Sequence, residues 1–196
     1  FKKWTFVKSS SFKSLNNIVK LFMAIQKIIT EPNKILRQIS KNVDKVGKEE
    51  QQLMDDMLET MYDAKGIGLA AIQIGIPKRI LVMDISKNEE KNDPMYFVNP
   101  IIKNKNSELS IYEEGCLSVP NYFAEIKRPK KCEIEYLDYY GQKKNLLAEG
   151  LLATCIQHEM DHLEGILFID YLSKIKKTMI IKKLSKQKDR PDRIIV

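Results

Sequence analysis

The sequence predicts an α+β fold, and three observations carry that expectation. Segments with strand character are grouped between helices rather than alternating with them. Three stretches carry apolar residues at helical spacing. No internal repeat or linker divides the 196 residues, a length that suits one domain with its own core. Charged residues make up 30% and hydrophobic ones 43%, an ordinary globular balance. No apolar run approaches the roughly 18 residues of a membrane span, so no membrane partner is expected. Three cysteines at irregular spacing make no disulfide framework and point to a reduced compartment or to a thiol with a metal or catalytic role.

In chain order, residues 1–29 read as a basic N-terminal extension. The first 30 residues hold six lysines and no acid, which suits the remnant of an organelle-targeting leader or a cloning truncation. EQQLMDDMLETMYDA (50–64) places Leu53, Met54, Met57, Leu58 and Met61 on one helical face. GIGLAAIQIGIP (66–77) reads as a loop, RILVMDI (79–85) as a buried strand, and KNEEKNDP (87–94) as a polar turn. YFVNPII (96–102) is a strand with Pro100 near an edge or bend. CEIEYLDYYG (132–141) is a strand ending in a glycine turn. GLLATCIQHEMDHLE (150–164) is a helix with Gly165 as its left-handed cap. Ser173 to Lys188 reads as a basic amphipathic helix whose apolar stripe is Ile175, Met179, Ile180 and Leu184. The domains expected are therefore the extension 1–29, a catalytic unit 30–173 and a basic tail 174–196. The net charge of +7 sits at the two basic ends around an acidic body. That pattern leaves a ribosome contact open for the tail and gives no reason to expect specific DNA binding.

QHEMDHLEG (157–165) contains both histidines of the chain. Positions i and i+4 share one helical face, so His158 and His162 can grip one metal ion while Glu159 reaches water beside it. A catalytic site of this kind takes three protein ligands and keeps a fourth position open. No Glu, His or Cys follows Glu164; Asp170 lies eight residues after His162, past the Gly165 cap, and Asp189 and Asp192 lie in a polar tail. Cys155 shares the histidines' face, but three ligands from one short helix splay along its axis, so Cys155 reads as a pocket or core residue. Cys132, between lysine and glutamate in a strand, reads as structural. Cys116 sits in YEEGCLSVP, read as a turn, where a thiol has no packing rationale and a loop can bring it to the helix. Cys116, His158 and His162 are therefore the expected ligands, a donor mix that zinc or iron accepts. Gly66 to Ala71 fits a dinucleotide-binding G-x-G-x-x-A pattern, but it follows a helix instead of a strand. An exposed backbone rail for a substrate peptide suits it better, with a mere turn as the alternative.

Together GIGLAAIQIG, EEGCLS and QHEMDHLEG, in this order and spacing, resemble the three signature motifs of peptide deformylases. The likeness extends through Arg128-Pro129 and LFIDYLS and covers roughly residues 30–175. One departure is Ile72, where the family usually has proline before the glutamine. The resemblance implies antiparallel sheets wrapped around a central metal-binding HExxH helix, with N- and C-terminal helices. It also implies one divalent ion, commonly Fe2+ in the cell, with Zn2+, Ni2+ or Co2+ able to replace it. The implied reaction removes the N-formyl group from formylmethionyl peptides and releases formate. Implied roles are acid/base work for Glu159, oxyanion donation by the Gln73 amide and the Leu117 N–H, and backbone pairing with substrate by Ile67, Gly68 and Gly115. Cys155, Ile67 and the rim of His158 would line the methionine pocket. Glu114 and Arg128 either pair to fix the Cys116 loop or are two solvated charges. The alternative activity is an HExxH zinc metallopeptidase. Formylated initiation, the leader-like start and a Lys/Asn/Ile bias point to a plastid-type organelle, with a mitochondrion or a bacterial cytoplasm as alternatives.

Overall fold

The computed structural model describes residues 24–86 and 92–188. Most of the 1–29 extension, residues 87–91 of the 87–94 turn, and Asp189 and Asp192 lie outside them. Among the described residues, seven strands and three α-helices follow one another: α1 (Lys48–Asp63), β1 (Gly68–Ala70), β2 (Ile80–Met83), β3 (Met95–Lys105), β4 (Leu109–Cys116), β5 (Val119–Pro129), β6 (Lys131–Leu137), β7 (Lys143–Glu149), α2 (Gly150–Leu163) and α3 (Lys174–Lys188). One antiparallel sheet has the order β1-β2-β3-β6-β7, and β4-β5 form a separate hairpin. Helix α2 packs against strands of both sheets. The predicted α+β class holds.

The continuous apolar run of β2 has a direct explanation: both of its faces are covered. Ile80 and Val82 meet Met54, Met57, Leu58 and Met61 of α1, four of the five positions that helical spacing selected, with Leu53 partly buried against the same cluster. Leu81 and Met83 face the other way, toward Ala153, Cys155, Ile156 and Leu163 of α2. Pro100 sits at a bend as expected: the β3–β6 register shifts between Val98 and Ile101, and Asn99 adopts φ 51°. The Asn99 amide closes that bend by bonding both Val43 N and Val43 O at 2.8 Å.

Four expectations need correction. GIGLAAIQIGIP is not all loop: Gly68–Ala70 pair with β2, and Ala71–Ile74 form a 3-10 turn. Leu69, Ala70 and Ala71 are fully buried, so packing overrides the glycine-rich look. Cys116 is not in a free turn but ends β4, where Leu117 and Ser118 reverse the chain into β5. The stripe of α3 is rotated: Leu184 is buried with Ile180 and Ile181 against it, whereas Ile175 and Met179 are exposed. Lys177 shares the packed face and its ammonium lies 2.6 Å from Asp170. Finally, residues 24–29, placed with the extension, bond the body through Ala24 N to Asp56, Gln26 N to Thr60 and Ile29 N to Gln73 O.

Candidate metal centre

The site forms where the end of β4 meets α2. Between Gly115 and Cys116 the β4–β5 register shifts, and such an irregularity re-aims a side chain. The reversal is pinned from outside by Glu31 N donating to Ser118 O at 2.9 Å. From α2, His158 and His162 project on one face, their rings 5.1 Å apart. Cys116 Sγ lies 3.2 Å from His162 Nε2, and the ligand atoms of Cys116, His158 and His162 all fall within 4.8 Å of one another. No other such group of three occurs among the described residues. Both histidines are buried and Cys116 is half-buried. Gly165 adopts φ 71°, and a Cβ there would lie 2.6 Å from Arg37 O. A side chain is excluded both by conformation and by space where this helix ends.

Behind the ligands stands an ionic network. His158 Nδ1 is 2.8 Å from Glu114 Oε2; with Nδ1–H donating to the carboxylate, Nε2 is left to face Cys116 and His162, the usual arrangement of a ligating imidazole. Glu114 also receives Arg128 Nε at 2.5 Å and Nη2 at 3.0 Å. Arg128 Nη1 reaches Asp161 Oδ2 at 2.8 Å, and its guanidinium lies 5.1 Å over the Tyr171 ring. Glu114 and Arg128 are therefore a buried pair rather than two solvated charges. Burial would raise the Glu114 carboxyl, but His158 and Arg128 outweigh it and hold it below the ordinary range. Burial likewise opposes the His158 charge, yet Cys116 and Glu114 hold His158 well above its usual range. Burial and the His158 charge push His162 well below it.

Glu159 is enclosed at 4% exposure, with one carboxylate oxygen unpartnered. Burial drives its carboxyl up to about 7, with His158 opposing and Glu114 adding. Gly68 explains how the carboxylate fits: a Cβ there would stand 2.5 Å from Glu159 Oε1 and 3.0 Å from Cys155 Sγ. Strand β1 is an edge strand, so Ile67 and Gly68 present backbone beside this carboxylate. Gln73 accepts from Ala70 N at 2.8 Å through Oε1. That turns Nε2 toward Ser118 Oγ at 3.2 Å and Cys116 Sγ at 3.6 Å. Ile72, the departure from the family motif, is fully buried in the core, so the glutamine is held without the proline.

A cleft of about 490 Å³ joins Ile67, Gly68, Gln73, Gly115, Cys116, Leu117, His158 and Glu159. A side pocket of about 110 Å³ opens from it past Ile67, Cys155 and His158. A larger groove of about 540 Å³ between β5 and α3 contains none of these groups. Cys155 stays outside the metal-ligand group: its thiol faces Ile67 O at 3.8 Å, and burial pushes its pKa well up. Asp170 is committed to Arg37, Lys177 and Leu167 N. Cys132 is a core residue. Asp161 and Ser118 had no signal in the motif reading, although Asp161, three residues after His158, shares its helical face.

The family profile described as Polypeptide deformylase matches residues 25–178. The peptide deformylase of Pelagibacter ubique is 72% identical over 174 residues, covering 89% of this chain and all of that protein. That of Rhizobium meliloti is 53% identical over 164 residues, covering 84% and 94%. Among solved structures, the peptide deformylase of Ehrlichia chaffeensis in complex with actinonin superposes with a TM-score of 0.81 at 44% identity, covering 86% of this chain and all of that one. A Met-Ala-Ser-bound peptide deformylase of Acinetobacter baumannii gives 0.72 at 31% identity, covering 76% and 99%.

Proposed function

The chain belongs to the polypeptide deformylase family, and from that premise we propose how its own residues do the work. The protein is a metal-dependent hydrolase that removes the N-formyl group from N-formyl-methionyl peptides. The amide bond between the formyl carbon and the methionine nitrogen breaks, and water supplies the hydroxyl of formate and the proton of the new amine.

Cys116, His158 and His162 would hold one divalent ion. The donor set fits, since a thiol and two imidazoles converge and Glu114 orients one ring. When bound, the ion supplies Lewis-acid polarisation and acidifies water at its open position. We assign Fe2+ as the ion used in the cell, with Zn2+, Ni2+ or Co2+ as substitutes, because a mixed thiolate and imidazole shell accepts each. Glu159 takes the proton of the attacking water and later hands it to the leaving nitrogen. A carboxyl titrating near the working pH suits that double duty, and burial brings Glu159 there. The Gln73 amide N–H and the Leu117 N–H donate to the oxygen that gains charge in the tetrahedral stage. Ile67, Gly68 and Gly115 pair with the peptide backbone as an added strand would, and the methionine side chain enters the pocket by Cys155.

The observation that carries this assignment is the buried, unpartnered Glu159 oxygen beside three converging ligand atoms. The test is release of formate from formyl-Met-Ala-Ser, run beside cleavage of an unformylated peptide. Formate release alone supports the assignment; internal peptide cleavage alone supports the zinc-peptidase alternative.

The division into an extension, a catalytic unit of 30–173 and a tail is kept as a proposal, with the first boundary moved to residue 24 by the bonds of residues 24–29. A ribosome contact through the tail lysines is proposed on charge and position alone. The relatives named above are bacterial, and a bacterial-type protein fits. The plastid-type compartment has only the lysine-rich start and the residue bias in its favour, so we prefer a bacterial setting.

A further inference from the structure

The two donors assigned to the charged oxygen come from different parts of the chain. Gln73 belongs to the 3-10 turn after β1, and Leu117 to the reversal between β4 and β5. Ser118 joins those parts, because its hydroxyl accepts from Gln73 Nε2 at 3.2 Å. Both residues are buried. The sense of the amide is fixed by Ala70 N, which donates to Oε1 at 2.8 Å; only the amide oxygen can accept there. Nε2 carries two hydrogens. Ser118 takes one, and the other is left on the side of Cys116, whose Sγ lies 3.6 Å away. With Oε1 and one N–H both engaged, the amide plane cannot turn without breaking a buried hydrogen bond, which is costly. The backbone clasps the same pair: Ile29 N donates to Gln73 O at 2.7 Å, and Glu31 N to Ser118 O at 2.9 Å.

We propose that Ser118 is a positioning residue: its hydroxyl sets the plane of the Gln73 amide so that the second N–H is aimed at the oxygen that gains charge. The inference rests on the deformylase reading and deepens it. A donor of this kind is effective only if it is already aimed when the charge forms, since reorienting it then adds to the barrier. Without the Ser118 oxygen the amide keeps one contact, from Ala70 N, and a single contact is a pivot about which the plane can swing. Ser118 therefore acts through Gln73. It exchanges no proton, and the attack on the formyl carbon is unchanged.

The test measures kcat and KM for formyl-Met-Ala-Ser in the wild type, Ser118→Ala, Gln73→Leu and the double variant, with the metal content of each. Ser118→Ala removes one buried oxygen and adds no atom that must be housed. Losing an oxyanion donor outright costs about 10²- to 10³-fold in kcat, and that is the loss expected of Gln73→Leu. A donor that is present but poorly aimed costs less, so Ser118→Ala should lower kcat by about 10-fold. Its KM should stay within about 2-fold of the wild type, because the contact matters only in the transition state. Metal content should not change. In the Gln73→Leu background the serine has nothing left to aim, so the double variant should match Gln73→Leu within about 2-fold. An unchanged kcat in Ser118→Ala overturns the proposal, since Ala70 N would then hold the amide alone. A further loss of about 10-fold in the double variant also overturns it, and so does loss of metal from Ser118→Ala; either would tie the hydroxyl to the Cys116 turn instead. Failure of the wild type to release formate would contradict the deformylase reading itself.

Discussion

Helices α2 and α3 are nearly equal in length, 14 and 15 residues, and both are read from apolar spacing, yet they live in different solvents. Helix α2 is enclosed by the two sheets, and Gln157, His158, Glu159 and His162 are all buried with its apolar residues. Helix α3 lies on the surface: Leu184 is buried, while Lys174, Lys176, Lys182 and Lys183 are exposed. A buried polar group needs a partner. In α2 Gln157 finds Pro129 O and Ala153 O at 2.9 Å and His158 finds Glu114, whereas one Glu159 oxygen finds none. Periodicity identifies a helix; enclosure decides whether its polar face becomes chemistry or merely meets water.

Changes in the enclosed helix should therefore be severe and changes on the surface helix mild. The largest effect is expected from Glu159→Ala, which should slow deformylation by about 10²-fold or more while metal content stays at the wild-type level. Near-normal turnover with metal retained would remove Glu159 from the mechanism. Arg128→Met comes next. It leaves Glu114 with His158 alone and Asp161 with the Tyr171 hydroxyl alone, and breaking a buried pair costs about 3–5 kcal/mol. Urea unfolding measures it, and a loss below about 1 kcal/mol would mean the network is not a structural tie. Glu114→Gln keeps the shape but weakens orientation of His158, so metal affinity in a competition titration should fall about 10- to 100-fold. An unchanged affinity would assign Glu114 to folding alone. On α3, replacing Lys174, Lys176, Lys182 and Lys183 with Gln should shift stability by no more than about 0.5 kcal/mol and leave turnover of a free formyl-peptide unchanged. Cosedimentation with ribosomes at low salt should drop in that variant, since such contacts are electrostatic; unchanged cosedimentation would leave α3 with packing alone.

Much of this contrast was legible in the sequence. The α1 face, the β2 run, both later helices and the Gly165 cap follow from spacing that local geometry obeys. The two histidines and Cys116 were legible because metal ligation restricts residue types so strongly. The β4–β5 hairpin and β7 were not assigned, because their half-exposed strands carry lysine and glutamate among weakly alternating apolar residues. The GIGLAAIQIG segment misleads for another reason: its glycines look like a loop, but Gly68 serves the approach of Glu159 to β1, a tertiary demand with no local signature. The rotated face of α3 has the same origin, since Asp170 draws Lys177 onto the packed side. Asp161 and Ser118 acquire their contacts only when α2, β5 and the Cys116 turn meet.

We assign the metal site to the thiol at the end of β4 and two helix imidazoles, not to a third residue of the same helix. Metal content of anaerobically prepared Cys116→Ser and Cys155→Ser, measured beside the wild type, tests it most directly. Cys155→Ser should keep about one ion per chain and most of its activity, while Cys116→Ser should lose the ion, its activity or both. Loss of the ion from Cys155→Ser, with Cys116→Ser still loaded and active, would contradict it.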